Sequence, residues 1–211
     1  MTLLDSPLAA LLRYESGDTD HASVLDAALE AFMDFGIRRT SMGEIAKRAG
    51  VSPATLYRWF AGKDELVWAV GRREANRLIA SVAAEVDQRD DGETQLVTLF
   101  VAFLRGLRAN RLLPRLVATE PEVILPLLTT GAGPVLALGR TYLAQVIAGL
   151  QISGQLPAFD PEPAAEMVAR LALSMALTPE TCIPIEDDEA ARQFARLHVA
   201  ILFGAASRPD H

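Results

Sequence analysis

The residues of this chain best suited to chemistry lie between Gly36 and Leu66, in the run GIRRTSMGEIAKRAGVSPATLYRWFAGKDEL, and they suit recognition of a nucleic acid rather than bond making. Arg58 can donate two parallel hydrogen bonds to a guanine. Tyr57 and Trp59 offer a phenol O–H and an indole N–H to phosphate oxygens, and Thr55 presents a methyl and a hydroxyl to base or phosphate. As helix, Ser52 to Phe60 would span roughly 13 Å at about 1.5 Å per residue, enough to lay a few side chains across the base edges of a major groove. The short Pro53-Ala54 start lets the backbone come close, and Lys63 stands where a helix start could hold one more phosphate. Charge points the same way. Gly36 to Lys63 contains Arg38, Arg39, Lys47, Arg48, Arg58 and Lys63 against Glu44 alone, a local balance of +5 in a chain of net −7. The remainder carries −12, so any nucleic-acid contact falls on this segment.

These residues need two short helices joined by a tight turn. Ser41 followed three residues later by Glu44 is a capping box, which predicts a helix from Met42 with Ile45, Ala46 and Ala49 as its small apolar face. Gly50 sits where the turn requires either a positive φ or a close approach of the two helices. Ser52 caps a second helix with Pro53 at its first position, where a missing N–H costs nothing. In that helix Val51, Leu56 and Phe60 face inward together, leaving Ala54, Thr55, Tyr57, Arg58 and Trp59 outward. A supporting helix from about Asp20, its cap, to Phe35 carries Val24, Ala28 and Phe32 in one row and Leu25, Leu29 and Met33 in the next.

The joint spacing of Ile45-Ala46, Ala49-Gly50-Val51-Ser52, Leu56-Tyr57, Phe60 and Lys63-Asp64-Glu65-Leu66, after an amphipathic helix ending in Phe35-Gly36, resembles the DNA-binding domain of the TetR family of bacterial transcriptional regulators. The resemblance covers about a quarter of the chain. Ser41, Ile37 and Trp59 depart from the commonest family residues at their positions. What it implies is an all-α protein, with an N-terminal three-helix helix-turn-helix domain and a C-terminal helical domain for effector binding and dimerisation. The DNA-binding set would be Thr40, Ser41, Ser52, Pro53, Ala54, Thr55, Tyr57, Arg58, Trp59 and Lys63. The implied function is a ligand-responsive repressor that binds a palindromic double-stranded DNA operator as a homodimer. The alternative is a helical small-molecule-binding module of the same fold that no longer binds DNA.

The expected division is a leader over 1–19, the helix-turn-helix domain over 20–66 and the C-terminal domain over 67–211. In the leader, Leu3, Leu4, Leu8, Leu11 and Leu12 could line a short helix, but Arg13 against Asp5, Glu15 and Asp18 gives little charge for a minor-groove arm. A long helix is predicted from Lys63 to about Gln88, with Arg72, Arg73, Glu74 and Arg77 on its more exposed faces and Gly71 as a hinge or a close-packing point. Shorter helices follow near 93–109, 112–119 and 122–128, then a longer one over 134–152, all punctuated by proline and glycine. The last two, about 162–177 and 188–204, present Met167, Leu171, Ser174 and Met175, and Phe194, Leu197, Ile201 and Leu202. Paired with their copies they would make a four-helix dimer interface; the alternative is packing within one chain.

Phe100, Phe103, Leu104, Leu107, Leu116, Tyr142 and Val146 either line an effector pocket, with Tyr142 and Gln145 as polar contacts, or form ordinary core. The scarcity of charge there favours an apolar effector. Cys182, the single cysteine, is a redox switch or an inert thiol. It forms no internal disulfide and fits a reducing cytoplasm. Glu186 to Glu189 favours a helix start rather than a metal site. No uninterrupted apolar run reaches membrane length. No nucleophile elbow, phosphate loop or metal-ligand spacing is present, so neither enzyme activity, cofactor nor metal is expected.

Overall fold

The computed structural model describes residues 19–203 except 179 and 185, so the leader expectations lie outside the described residues. Among the described residues the structure is helical, with no strand: α1 (Thr19–Phe35), α2 (Met42–Ala49), α3 (Pro53–Trp59), α4 (Lys63–Ala84), α5 (Gly92–Ala109), α6 (Leu112–Thr119), α7 (Pro121–Leu128), α8 (Gly133–Ile152), α9 (Pro161–Leu177) and α10 (Asp188–Phe194). Asp20 lies within the first turn of α1 and is not its cap.

The chain forms two compact units, and they do not divide at Leu66. One comprises the described residues up to Arg77 together with Leu112–Thr130; the other comprises Leu78–Arg111 and the described residues from Gly131 on. The first is built on the rows read from sequence. Val24, Ala28 and Phe32 of α1 are buried with Ile45, Leu56, Leu66 and Val70, and Leu116 and Ile124 of α6 and α7 join the same core. The intervening segment belongs there because Leu116 and Ile124 bury their side chains in that core, an attraction proportional to apolar area and indifferent to sequence distance.

Helix α4 stops at Ala84 rather than near Gln88. Its last turn tightens through Glu85 N–H to the Val82 carbonyl (3.2 Å) and Val86 N–H to that of Ala83 (3.4 Å). Arg73, expected on an exposed face, is 4% exposed. Its guanidinium pairs with Asp26 (3.0 Å) and donates to the Ala22 carbonyl (3.2 Å), tying α4 to α1. Gly71 is exposed, with no neighbour near the place of a Cβ, so close packing does not account for it.

In the second unit Val101, Leu104 and Ala191 form a buried cluster with Phe100, Phe103 and Met175 packed against it. Asp187 caps α10 by accepting from Ala190 N–H (2.7 Å), while Asp188 receives the Arg105 guanidinium through Nη2 (2.6 Å) and Nε (3.1 Å) and also pairs with Arg108. The acidic run is thus a helix start with one long-range ion-pair anchor. The α-helix after Asp188 ends at Phe194, and the chain continues as a π-helical turn (Ala195–Val199) and a 3-10 turn (Ala200–Phe203). Helix α8 is long and apolar enough to cross a membrane by length and composition. That property is weak evidence by itself, and Arg140 in its middle pairs with Glu162 (3.0 Å) and Glu166 (3.4 Å) of α9.

Candidate nucleic-acid interface

The helix-turn-helix is set by local hydrogen bonds that the sequence spells out. Ser41 Oγ accepts from Glu44 N–H (3.2 Å), and Glu44 Oε2 accepts from Ser41 N–H (2.8 Å), completing the capping box. The Ser41 backbone N–H, then its hydroxyl, holds the Glu44 carboxyl below the usual range. Gly50 ends α2 at φ +72°, with open space where a Cβ would lie; the left-handed backbone, not close approach, requires glycine. Its N–H donates to the Lys47 carbonyl (3.3 Å) and Val51 N–H to that of Ala46 (3.0 Å), the paired closure of a Schellman turn. Ser52 Oγ then accepts from Thr55 N–H (3.1 Å), and Pro53 opens α3.

Helix α3 is attached by one face. Leu56 is fully buried, Phe60 is buried just past the C-terminus, and Val51 is half-buried. Ser52, Pro53, Ala54, Tyr57 and Arg58 are exposed on the opposite side, with Tyr57 at 55%. Ser41 is exposed at the start of α2. Thr55 is half-buried, its Oγ1 2.9 Å from Ser52 Oγ.

Three members of the expected set are engaged elsewhere. Thr40 is 2% exposed, and its hydroxyl proton is shared between the carbonyls of Gly36 (2.7 Å) and Ala31 (3.3 Å), so its side chain holds the end of α1. Trp59 is half-buried with its ring edge-on to His21, centroids 4.5 Å apart, which makes the ring a packing contact between α3 and α1. Lys63 Nζ donates to the carbonyls of Ile37 (3.0 Å), Thr40 (3.2 Å) and Arg38 (3.4 Å), so the ammonium fastens the loop ahead of α2 instead of waiting for a phosphate.

Other cations are occupied too. Arg38 pairs with Glu122, and Arg48 with Asp34 (2.9 Å) while lying over the Phe35 ring (5.6 Å). Arg39, Lys47 and Arg58 are exposed and form no ion pair among the described residues. Arg39 and Lys47 were absent from the expected contact set; only their charge signalled them. A further residue that sequence reasoning missed is Glu120, 7% exposed, whose carboxylate accepts from Ile37 N–H (2.7 Å) and Arg38 N–H (3.0 Å).

The expected effector residues are not gathered in one place. Leu116 belongs to the N-terminal core, Phe100 and Phe103 pack with Val101 and Leu104, and Leu107 is half-buried on α5. Tyr142 and Gln145 lie one turn apart on α8. Gln145 Oε1 is buried without a hydrogen-bond partner, and Tyr142 is 5% exposed. Burial pushes the Tyr142 phenol up to about 12. Stability linked to this group is therefore complete below the ordinary tyrosine value of about 10 and is lost as pH rises through about 12. A spectroscopic alkaline titration should show a late tyrosine ionising with unfolding and should lose that step in Tyr142→Phe; complete ionisation near pH 10 without unfolding would contradict it.

Comparison with known proteins agrees with this geometry. Residues 24–70 match the family described as bacterial regulatory proteins, tetR family, and residues 91–199 match the bacterial tetracyclin repressor C-terminal domain. The transcriptional activator FasR of Mycolicibacterium smegmatis is 34% identical over 111 residues, half of this chain and 51% of FasR. The transcriptional regulator AlkX of Mycobacterium tuberculosis is 25% identical over 210 residues, 93% of each chain. Among solved structures, the TetR family repressor AlkX from Dietzia sp., implicated in biodegradation of n-alkanes, superposes with a TM-score of 0.68 at 24% identity, covering 90% of this chain and 98% of that one. A binding module without DNA recognition is not favoured, because the match spans the whole helix-turn-helix. The chain therefore belongs to the TetR family of bacterial transcriptional regulators, DNA-binding proteins that act on operators as dimers.

Proposed function

We propose that this regulator is a ligand-responsive repressor whose two α3 helices enter successive major grooves of a palindromic operator, about 34 to 36 Å apart. Arg58 reads a base, Tyr57 meets phosphate, and Ser41, Ser52 and the Pro53-Ala54 backbone lie along the strand. The observation that carries this reading is the exposed side of α3, where Tyr57 and Arg58 stand clear of the buried Leu56. Dimerisation runs through α9 and the turns after α10. Met167, Leu171, Leu197, Ile201 and Leu202 are exposed there, apolar surface that a second copy would cover. Phe194 instead stacks on Phe100 (6.0 Å) within the chain. The effector is apolar and met by the half-buried aromatics of α5, in keeping with the n-alkane connection of the Dietzia repressor.

Selection of bound duplexes from random DNA by the purified protein, with the complex weighed for stoichiometry, tests the assignment. An enriched inverted repeat carrying two or four chains is expected, and Arg58→Ala should lose preference at one base position, about 1–3 kcal/mol of discrimination. Enrichment without two-fold symmetry, or an Arg58→Ala profile identical to wild type, counts against it.

A further inference from the structure

We propose that Glu120 is a positioning residue for DNA binding, and that through it the segment Leu112–Thr130 controls operator affinity. The loop from Gly36 to Thr40 leads directly into α2, and its peptide groups are held from two sides. Glu120 accepts the N–H groups of Ile37 (2.7 Å) and Arg38 (3.0 Å), and Lys63 covers the carbonyls of Ile37 (3.0 Å) and Thr40 (3.2 Å). Gly36, at φ +83°, makes room for the carboxylate: a Cβ there would lie 2.7 Å from Glu120 Oε1. Two further links tie Leu112–Thr130 to the loop and to the end of α1, Arg38 to Glu122 and Arg115 Nη2 to the Asp34 carbonyl (3.2 Å). None of these groups lies on the exposed face of α3, so the clamp acts on DNA only through where it sets the loop and the helices after it.

A buried carboxylate carries a desolvation cost that a neutral acceptor beside the loop would avoid. Here it is supplied from a residue 83 positions away. That segment is contiguous at both ends, at Arg111 and Gly131, with chain belonging to the other unit. The backbone therefore links each flanking helix to Glu120. If the loop is held productively in only a tenth of molecules, the apparent dissociation constant rises about tenfold.

The test uses the full-length protein without effector, so it stands apart from the ligand-responsive reading above. Glu120→Ala and Glu120→Gln are compared with wild type for affinity to a duplex selected by the wild-type protein, at several salt concentrations. The folded fraction is taken from circular dichroism, and amide exchange is followed at Ile37 and Arg38. We expect Glu120→Ala to bind about tenfold to a hundredfold more weakly per folded molecule, Glu120→Gln to fall between, exchange at both amides to quicken, and the salt slope to stay as in wild type because no phosphate contact is lost. Unchanged affinity per folded molecule overturns the proposal, as does a salt slope that falls by one or more. If Glu120→Ala fails to fold, Glu120→Gln carries the test; a folded Glu120→Gln with wild-type affinity, or failure of both to fold, overturns it.

Discussion

Leu56→Ala should abolish specific DNA binding while leaving the second unit folded. Helix α3 has seven residues, well short of the roughly 12–15 at which an isolated helix becomes even marginal in water, so its existence depends on what it buries. Leu56 is its one buried residue, fully enclosed with Phe32, Ile45 and Leu66 in the N-terminal core. The Ser52 cap contributes on the order of 1 kcal/mol, and Pro53 adds only favourable backbone geometry. Truncating the leucine should cost about 2–5 kcal/mol, from lost transfer energy and the cavity left behind. Because the cap and proline cannot offset that loss, α3 should fray and Arg58 should lose its fixed direction. Calorimetry should show a destabilised transition for the N-terminal unit, and fluorescence anisotropy should show no preference for the selected duplex over a scrambled one. A variant that kept that preference would show that α3 is held by something other than Leu56.

The contrast between Leu56 and Glu120 shows where sequence reading reaches. Leu56, the capping box, the Gly50 turn and the Ser52-Pro53 start all depend on residues at most five apart, where backbone geometry allows few arrangements. These features were legible, and with them the exposure of Tyr57 and Arg58 on one side of α3. Glu120 and Glu122 meet the loop, and Arg115 the end of α1, from more than 80 residues away, and no periodicity encodes that pairing. For the same reason composition gave the number of cations but not their partners. Lys63 looks like a phosphate ligand until its three carbonyls are seen, and Arg73 looks like a surface residue until Asp26 and Ala22 are found beside it. Thr40 failed differently. A polar side chain next to a cap was read as surface, whereas burial turned its hydroxyl back onto α1.

Those occupied cations change the expected salt dependence of binding by orders of magnitude. If all six basic residues between Gly36 and Lys63 met phosphate, a dimer would neutralise twelve charges, giving a slope of log K against log salt near −11. Lys63 is committed to backbone carbonyls, Arg38 to Glu122, Arg48 to Asp34 and Arg58 to a base, which leaves Arg39 and Lys47 for phosphate in each subunit. Four contacts per dimer give a slope of about −4, so raising salt from 50 to 200 mM should weaken binding roughly a hundredfold rather than more than a millionfold. Arg58→Ala should leave the slope nearly unchanged while relaxing preference at one base position, whereas Lys47→Ala should make it shallower by nearly two, one charge from each subunit. Lys63→Ala should leave the slope where it was and weaken binding only by loosening the Ile37–Thr40 loop. The Arg38 and Arg48 pairs are solvent-exposed and therefore weak, so a phosphate can compete for them. A wild-type slope near −7, with Lys63→Ala still neutral, would mean that both arginines change partners on DNA. A slope that drops by two in Lys63→Ala would mean that the ammonium leaves its carbonyls for phosphate when the operator binds.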